Sequence, residues 1–108
     1  MYFFDMKSTQ YQVKRKGVQV KVISGEMCQM LQIKLEPGFE SDHSHPEEQM
    51  GLVLSGAIRI TIDKETKACS EGDAYSIPAG IRHSFLVVST EPAEVLDIFS
   101  PPKEENRF

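Results

Sequence analysis

Three histidines occur in the chain, and they fall in two short segments: His43 and His45 in "HSHPEEQ", and His83 in "IPAGIRHSF". In an extended strand, residues i and i+2 point to the same side, so His43 and His45 can turn both imidazoles toward one ion. His83 opens a further strand just after a turn, and a sheet folded on itself can bring that strand end beside the first pair. The chemistry to expect is a divalent metal site of the Ni, Zn, Mn or Fe type, with open positions if it is catalytic. Glu47 and Glu48 follow Pro46 and read as solvated acids in a turn. Gln49 stands where a carboxylate would be the more ordinary companion of such a pair.

These side chains need a rigid frame, and the surrounding sequence supplies one made of strands. "GVQVKVIS" (17–24) alternates Val18, Val20 and Val22 with Gln19 and Lys21, the two-residue period of a strand with one buried face. "LQIKLEPG" (31–38) and "AIRITID" (57–63) repeat the pattern, and "HSFLVVS" and "AEVLDIFS" close the series. Short strands punctuated by Gly and Pro turns predict an all-β sandwich or barrel in one domain, residues 1–108. Within "VLDIF", Asp97 and Phe99 share strand parity, so both face the same side. The apolar residues on both faces of that strand also favour a homodimer. The double proline in "SPPKEENRF" predicts that 100–108 leave the barrel as an extended arm. The apolar "MYFF" start is expected to pack on the barrel or on a partner chain.

Bulk composition narrows the function classes. With 108 residues and 40% hydrophobic content, the chain can bury a core for one small domain. A net charge of -4 with scattered basic residues argues against a nucleic-acid surface. The one basic run, Lys14 to Lys16, reads as a solvated loop before Gly17. The sequence shows no apolar stretch of membrane-spanning length and no secretory start, so a cytoplasmic protein without membrane contact is expected. Cys28 and Cys69 lack metal-ligand or redox spacing. They are expected as reduced thiols, with Cys28 a small buried apolar group.

The order of these pieces resembles a known family. "GFESDHSHPEEQMGLVLSG" resembles the first cupin motif at Gly38, His43, His45, Gln49 and Gly56, and "GDAYSIPAGIRHSFLV" resembles the second at Gly72, Pro78, Gly80 and His83. The resemblance implies a jelly-roll β-barrel with one divalent metal held by His43, His45, Gln49 and His83. Gln49 replaces the customary glutamate. It keeps an oxygen donor and removes a negative charge, which leaves an ion more electrophilic.

From "FF" through "HSHP..Q" to "D.FSP", the chain is similar to the small cupins of pectin and alginate breakdown that linearise 4,5-unsaturated uronates. That resemblance implies an enzyme of carbohydrate metabolism acting on a small acidic sugar. Its substrate-handling residues would be Asp97, Phe99 and Lys103, the last standing where the group has arginine. Arg107 is a second candidate for that role. The metal would engage the uronate carboxylate and a neighbouring oxygen, Phe99 and Phe85 would wall the sugar, and Gly51 would leave room beside the metal. A non-haem iron dioxygenase would share every metal ligand. A non-catalytic module that binds sugar or metal is a third reading.

Overall fold

The alternation read in the sequence becomes ten strands among the described residues. The computed structural model describes residues 2–107; Met1 of the expected packed start and Phe108 of the expected arm lie outside them. The strands are β1 (Gln12–Arg15), β2 (Val18–Ser24), β3 (Gln29–Leu35), β4 (Glu40–His43), β5 (Glu48–Ser55), β6 (Ile58–Ile62), β7 (Glu65–Cys69), β8 (Ala74–Ile77), β9 (His83–Val87) and β10 (Ala93–Ser100). They form a six-stranded sheet in the order β1-β2-β3-β10-β5-β8 and a four-stranded sheet in the order β4-β9-β6-β7. All pairings are antiparallel.

The two sheets bury one core between their inner faces. Val18, Val20, Leu31, Val53, Ile77 and Val95 come from the larger sheet, and Ile58, Ile60, Phe85 and Val87 from the smaller. Burial of these β-branched and aromatic groups is what closes the sandwich, at roughly 25 cal/mol per Å² of apolar surface withdrawn from water. Two of the polar ligand candidates sit at strand ends, His43 at the end of β4 and His83 at the start of β9.

Three expectations are corrected by the packing. The tail does not leave the barrel: after Ser100 it turns, forms a short 3-10 segment over Glu104–Asn106, and buries Asn106 completely. Asn106 Nδ2 donates to Gln29 Oε1 at 3.2 Å, so a polar anchor overrides the break that two prolines impose. Cys28 is exposed at a turn rather than buried, because the core-facing positions of β3 begin at Gln29 and Leu31. Tyr2 and Phe3 are exposed on this chain, so of the two surfaces expected for them the barrel is excluded and a partner chain is left open.

Candidate metal centre

Strand register brings the histidines together. His43 ends β4 and pairs directly with His83 at the start of β9. His45 lies just beyond β4, in a loop whose carbonyl accepts a hydrogen bond from Gly80 N at 2.8 Å. Gly80 adopts φ +79, a left-handed turn that glycine enters without strain, and so the second motif's turn clamps the first motif's loop. The three rings meet edge to face at 4.7–5.4 Å between centroids, and their ligand nitrogens lie within 4.8 Å of one another. Such a cluster could hold a metal ion.

Hydrogen bonding fixes the tautomer of His83 and leaves its other nitrogen free. His83 Nδ1 lies 2.9 Å from the Ile81 carbonyl oxygen, which can only accept, so that nitrogen carries the proton. Its Nε2 is buried with no hydrogen-bond partner. His45 Nδ1 likewise faces the Glu47 carbonyl oxygen at 3.0 Å, while its Nε2 faces Gln49 Oε1 at 3.0 Å. A neutral imidazole cannot donate at both positions, so one contact sets acceptor against acceptor unless the ring is protonated or a cation lies between. Burial, followed by the charges of His83 and Lys103, pushes His43 down to about 4, and burial lowers His83 as well. Both therefore favour the neutral form that ligates metals. An orphaned imidazole nitrogen beside an unmatched acceptor pair fits a divalent ion.

Gln49 joins the cluster through β5. On the inner face it pairs with Phe99, and Gly51 pairs with Asp97, so Gln49 and Asp97 are diagonal neighbours. Gln49 Nε2 donates to Asp97 Oδ2 at 3.0 Å, which fixes the amide and turns its oxygen toward the histidines. Tyr75 Oη, from β8, donates to Asp97 Oδ1 at 2.5 Å. Despite both donors, burial dominates and raises the Asp97 carboxyl to about 7. Gly51 makes room here rather than beside the metal: a Cβ would overlap the Tyr75 ring and the Asp97 carboxylate.

The remaining expected residues line the same cavity, of about 70 Å³. Phe99 sits 5.6 Å from the His45 ring, and Lys103 Nζ lies 5.2 Å from the Phe99 ring. Phe85 is both wall and core, edge-on to His83 at 6.3 Å and to Tyr75 at 5.4 Å. Arg107 is elsewhere, with its guanidinium against Glu104 and the Gly25 carbonyl. Glu47 turns inward beside His45 instead of standing in solvent. Sequence reasoning missed Tyr75, which alternation alone marks as core, and also Lys14 and Arg15, which line the cavity instead of a solvated loop.

Comparison with known proteins agrees with this geometry. The cupin domain model matches residues 31–99. An uncharacterized protein of Streptomyces coelicolor is 36% identical over 64 residues, covering 59% of this chain and 60% of that one. An acireductone dioxygenase of Parasynechococcus marenigrum is 39% identical over 51 residues, covering 44% and 27%. The chain thus spans less than two thirds of the length of these curated relatives. Among solved structures, KdgF from Halomonas sp. superposes with a TM-score of 0.89 at 25% identity over 97% of both chains. An RmlC-like cupin from Shewanella frigidimarina does so with a TM-score of 0.88 at 20% identity over 97% and 95%, a likeness of fold. Since the matched stretch contains His43, His45, Gln49, His83, Asp97 and Phe99 on the two sheets that carry them, the chain belongs to the cupin domain family.

Proposed function

We propose that this cupin is a metal-dependent enzyme that opens the ring of a 4,5-unsaturated monouronate and releases the linear keto sugar. The observation that carries the reading is Asp97, a buried carboxyl raised to about 7 and held at the edge of the histidine cluster by Gln49 and Tyr75. The resemblance of "HSHP..Q" and "D.FSP" to the cupins of pectin and alginate breakdown supports the same substrate class, and the likeness to KdgF from Halomonas sp. over 97% of both chains is in keeping with it.

His43, His45, His83 and the oxygen of Gln49 would hold one divalent ion, Ni, Zn, Mn or Fe. Such an ion supplies Lewis-acid stabilisation to a sugar oxygen that gains negative charge. A carboxyl poised near neutrality can both take and return a proton. Asp97 takes the proton of the anomeric hydroxyl as the C1 to ring-oxygen bond breaks, and the electron pair goes to the ring oxygen as an enolate. Return of that proton to C4 gives the C5 ketone, so no atoms are gained or lost. Phe99 and Phe85 present apolar faces to the sugar, and Lys103 attracts its negative charge. The working form is read as a cytoplasmic homodimer.

Anaerobic incubation of the metal-loaded protein with unsaturated galacturonate or its alginate counterpart tests the reaction. Loss of the ultraviolet band of the conjugated double bond is expected. No loss with Ni, Zn, Mn and Fe loaded in turn would sink the proposal. Similarity to acireductone dioxygenases over a part of the chain favours oxygen chemistry as the second reading. Oxygen consumption with a small organic substrate, dependent on Fe(II), would decide for it.

A further inference from the structure

Strand β1 brings to the cavity two cations that simple alternation would have separated. Its register against β2 steps from Val13 opposite Gln19 to Arg15 opposite Val18, leaving Lys14 as the extra residue of a bulge. A bulge at a sheet edge re-aims the side chains around it. Lys14 and Arg15 both line the cavity together with Lys103, while Val13 and Lys16 are exposed.

The charges in this cluster do not balance. Glu105 Oε1 lies 2.6 Å from Lys103 Nζ and 3.8 Å from Lys14 Nζ, so one carboxylate serves two ammoniums. Both lysine side chains are largely withdrawn from water, at 15% exposure for Lys14 and 13% for Lys103. Arg15 stacks near Phe39, with its guanidinium carbon 5.8 Å from the ring centroid, and makes no ion pair among the described residues. A chain with net charge -4 thus gathers three cations around one cavity, against Glu105, which two of them share, and the buried Asp97 of the lining. Charge withdrawn from water and left unpaired is costly, and an incoming anion relieves that cost.

We propose that Lys14 and Arg15, together with Lys103, form an anion subsite for the carboxylate of a small acidic sugar, in the cavity that the histidines also line. The proposal rests on the uronate reading and sharpens it: the cations hold the carboxylate, and the histidine end is left to hydroxyl and ring oxygens. Arg15 supplies the planar fork that grips a carboxylate through two parallel hydrogen bonds, which Lys103 alone lacks. Glu105 is a positioning residue: one of its carboxylate oxygens bridges the two ammoniums and holds both at the cavity.

Binding of saturated galacturonate and of uncharged galactose to the metal-free protein, followed by NMR titration, tests the subsite without any turnover. Galacturonate is expected to bind about tenfold more tightly than galactose. Lys14→Met and Arg15→Met should each weaken galacturonate about tenfold and leave galactose unchanged, whereas Lys16→Met should change neither. Arg15 is exposed at the mouth, so its variant keeps the test decisive if Lys14→Met fails to fold. Equal binding of acid and neutral sugar by the wild type, no binding of galacturonate, or full binding by Arg15→Met would each overturn the subsite. Turnover of unsaturated galacturonate by the metal-loaded wild type separates the two proposals. Charge-dependent binding without turnover removes the reaction and keeps the subsite; turnover with unimpaired binding in both variants removes the subsite alone.

Discussion

Gln49 orients the site because an amide has two unlike ends. Its nitrogen donates to Asp97 and its oxygen faces His45, whereas a glutamate would set a second carboxylate against a buried one. Asp97 itself is expected to leave a mark on stability. Its carboxyl rises from 3.8 to about 7 on folding, chiefly through burial, so the folded chain keeps a proton that the unfolded chain has released. Stability of the metal-free protein therefore falls as pH rises from about 4 to about 7 on this account. His43 acts in the opposite sense: lowered from 6.5 to about 4, it adds stability as pH rises through that window. Asp97→Asn should remove the falling contribution and retain the rising one. In urea melts, the variant is expected to gain on the wild type between pH 4 and pH 8 by about 2–4 kcal/mol. A gap that stays constant with pH would show that Asp97 is not the group being titrated. Turnover of the unsaturated uronate should fall about 100-fold or more in the same variant, measured with metal loaded.

The C-terminal segment acts as a strap, and its anchor lies away from the cavity. Gln29 Nε2 donates to Ser24 Oγ at 2.9 Å and to the Lys103 carbonyl at 3.3 Å, and its oxygen accepts from Asn106. One buried amide pair thereby fixes the backbone that carries Lys103 and Glu105 to the mouth. Asn106→Ala leaves Gln29 Oε1 buried without a partner, which costs about 1–3 kcal/mol. The expected kinetic signature is a rise in KM for the uronate with a smaller change in kcat, because Lys103 loses its position while Asp97 keeps its own. A fall in kcat alone would argue against the strap. This anchor also marks the limit of what the sequence discloses. Period-two alternation outlines β2, β3, β6, β9 and β10, and motif spacing picks out His43, His45, Gln49 and His83, because both signals are local. The Tyr75 contact with Asp97 spans 22 residues and the Asn106 contact with Gln29 spans 77, so neither leaves a pattern along the chain. The bulge at Lys14 breaks alternation without any glycine or proline to announce it, and so Lys14 and Arg15 look like a solvated run.

At the scale of the whole molecule, the six-stranded sheet carries an exposed apolar patch on its outer face, over β10 and β5. Strand parity that turns Gln49, Gly51, Asp97 and Phe99 inward turns Met50, Leu52, Leu96 and Ile98 outward. Register then places Ile98 beside Met50 and Leu96 beside Leu52, one contiguous patch across β10 and β5. Met50 is 50% exposed, Ile98 42% and Leu52 36%. An apolar patch of this kind marks an interaction surface, and a closed two-fold pair is the commonest solution for one chain. Met50, Leu52, Leu96 and Ile98 are not among the residues that line the cavity, so a dimer closed through this face would bury a different surface from the one proposed to bind substrate. The double variant Met50→Lys with Ile98→Lys places two charges on positions that are exposed in the single chain, where substitution costs the fold little. Light scattering during size-exclusion chromatography should report a dimer for the wild type and a monomer for the variant, with the melting curve nearly unchanged. A wild type that runs as a monomer at micromolar concentration would rule out this face as a dimer contact. A monomeric variant should keep its turnover of the unsaturated uronate, since Asp97, Gln49 and the histidines all come from one chain; loss of turnover on dissociation would mean that the dimer holds the cavity in its working shape.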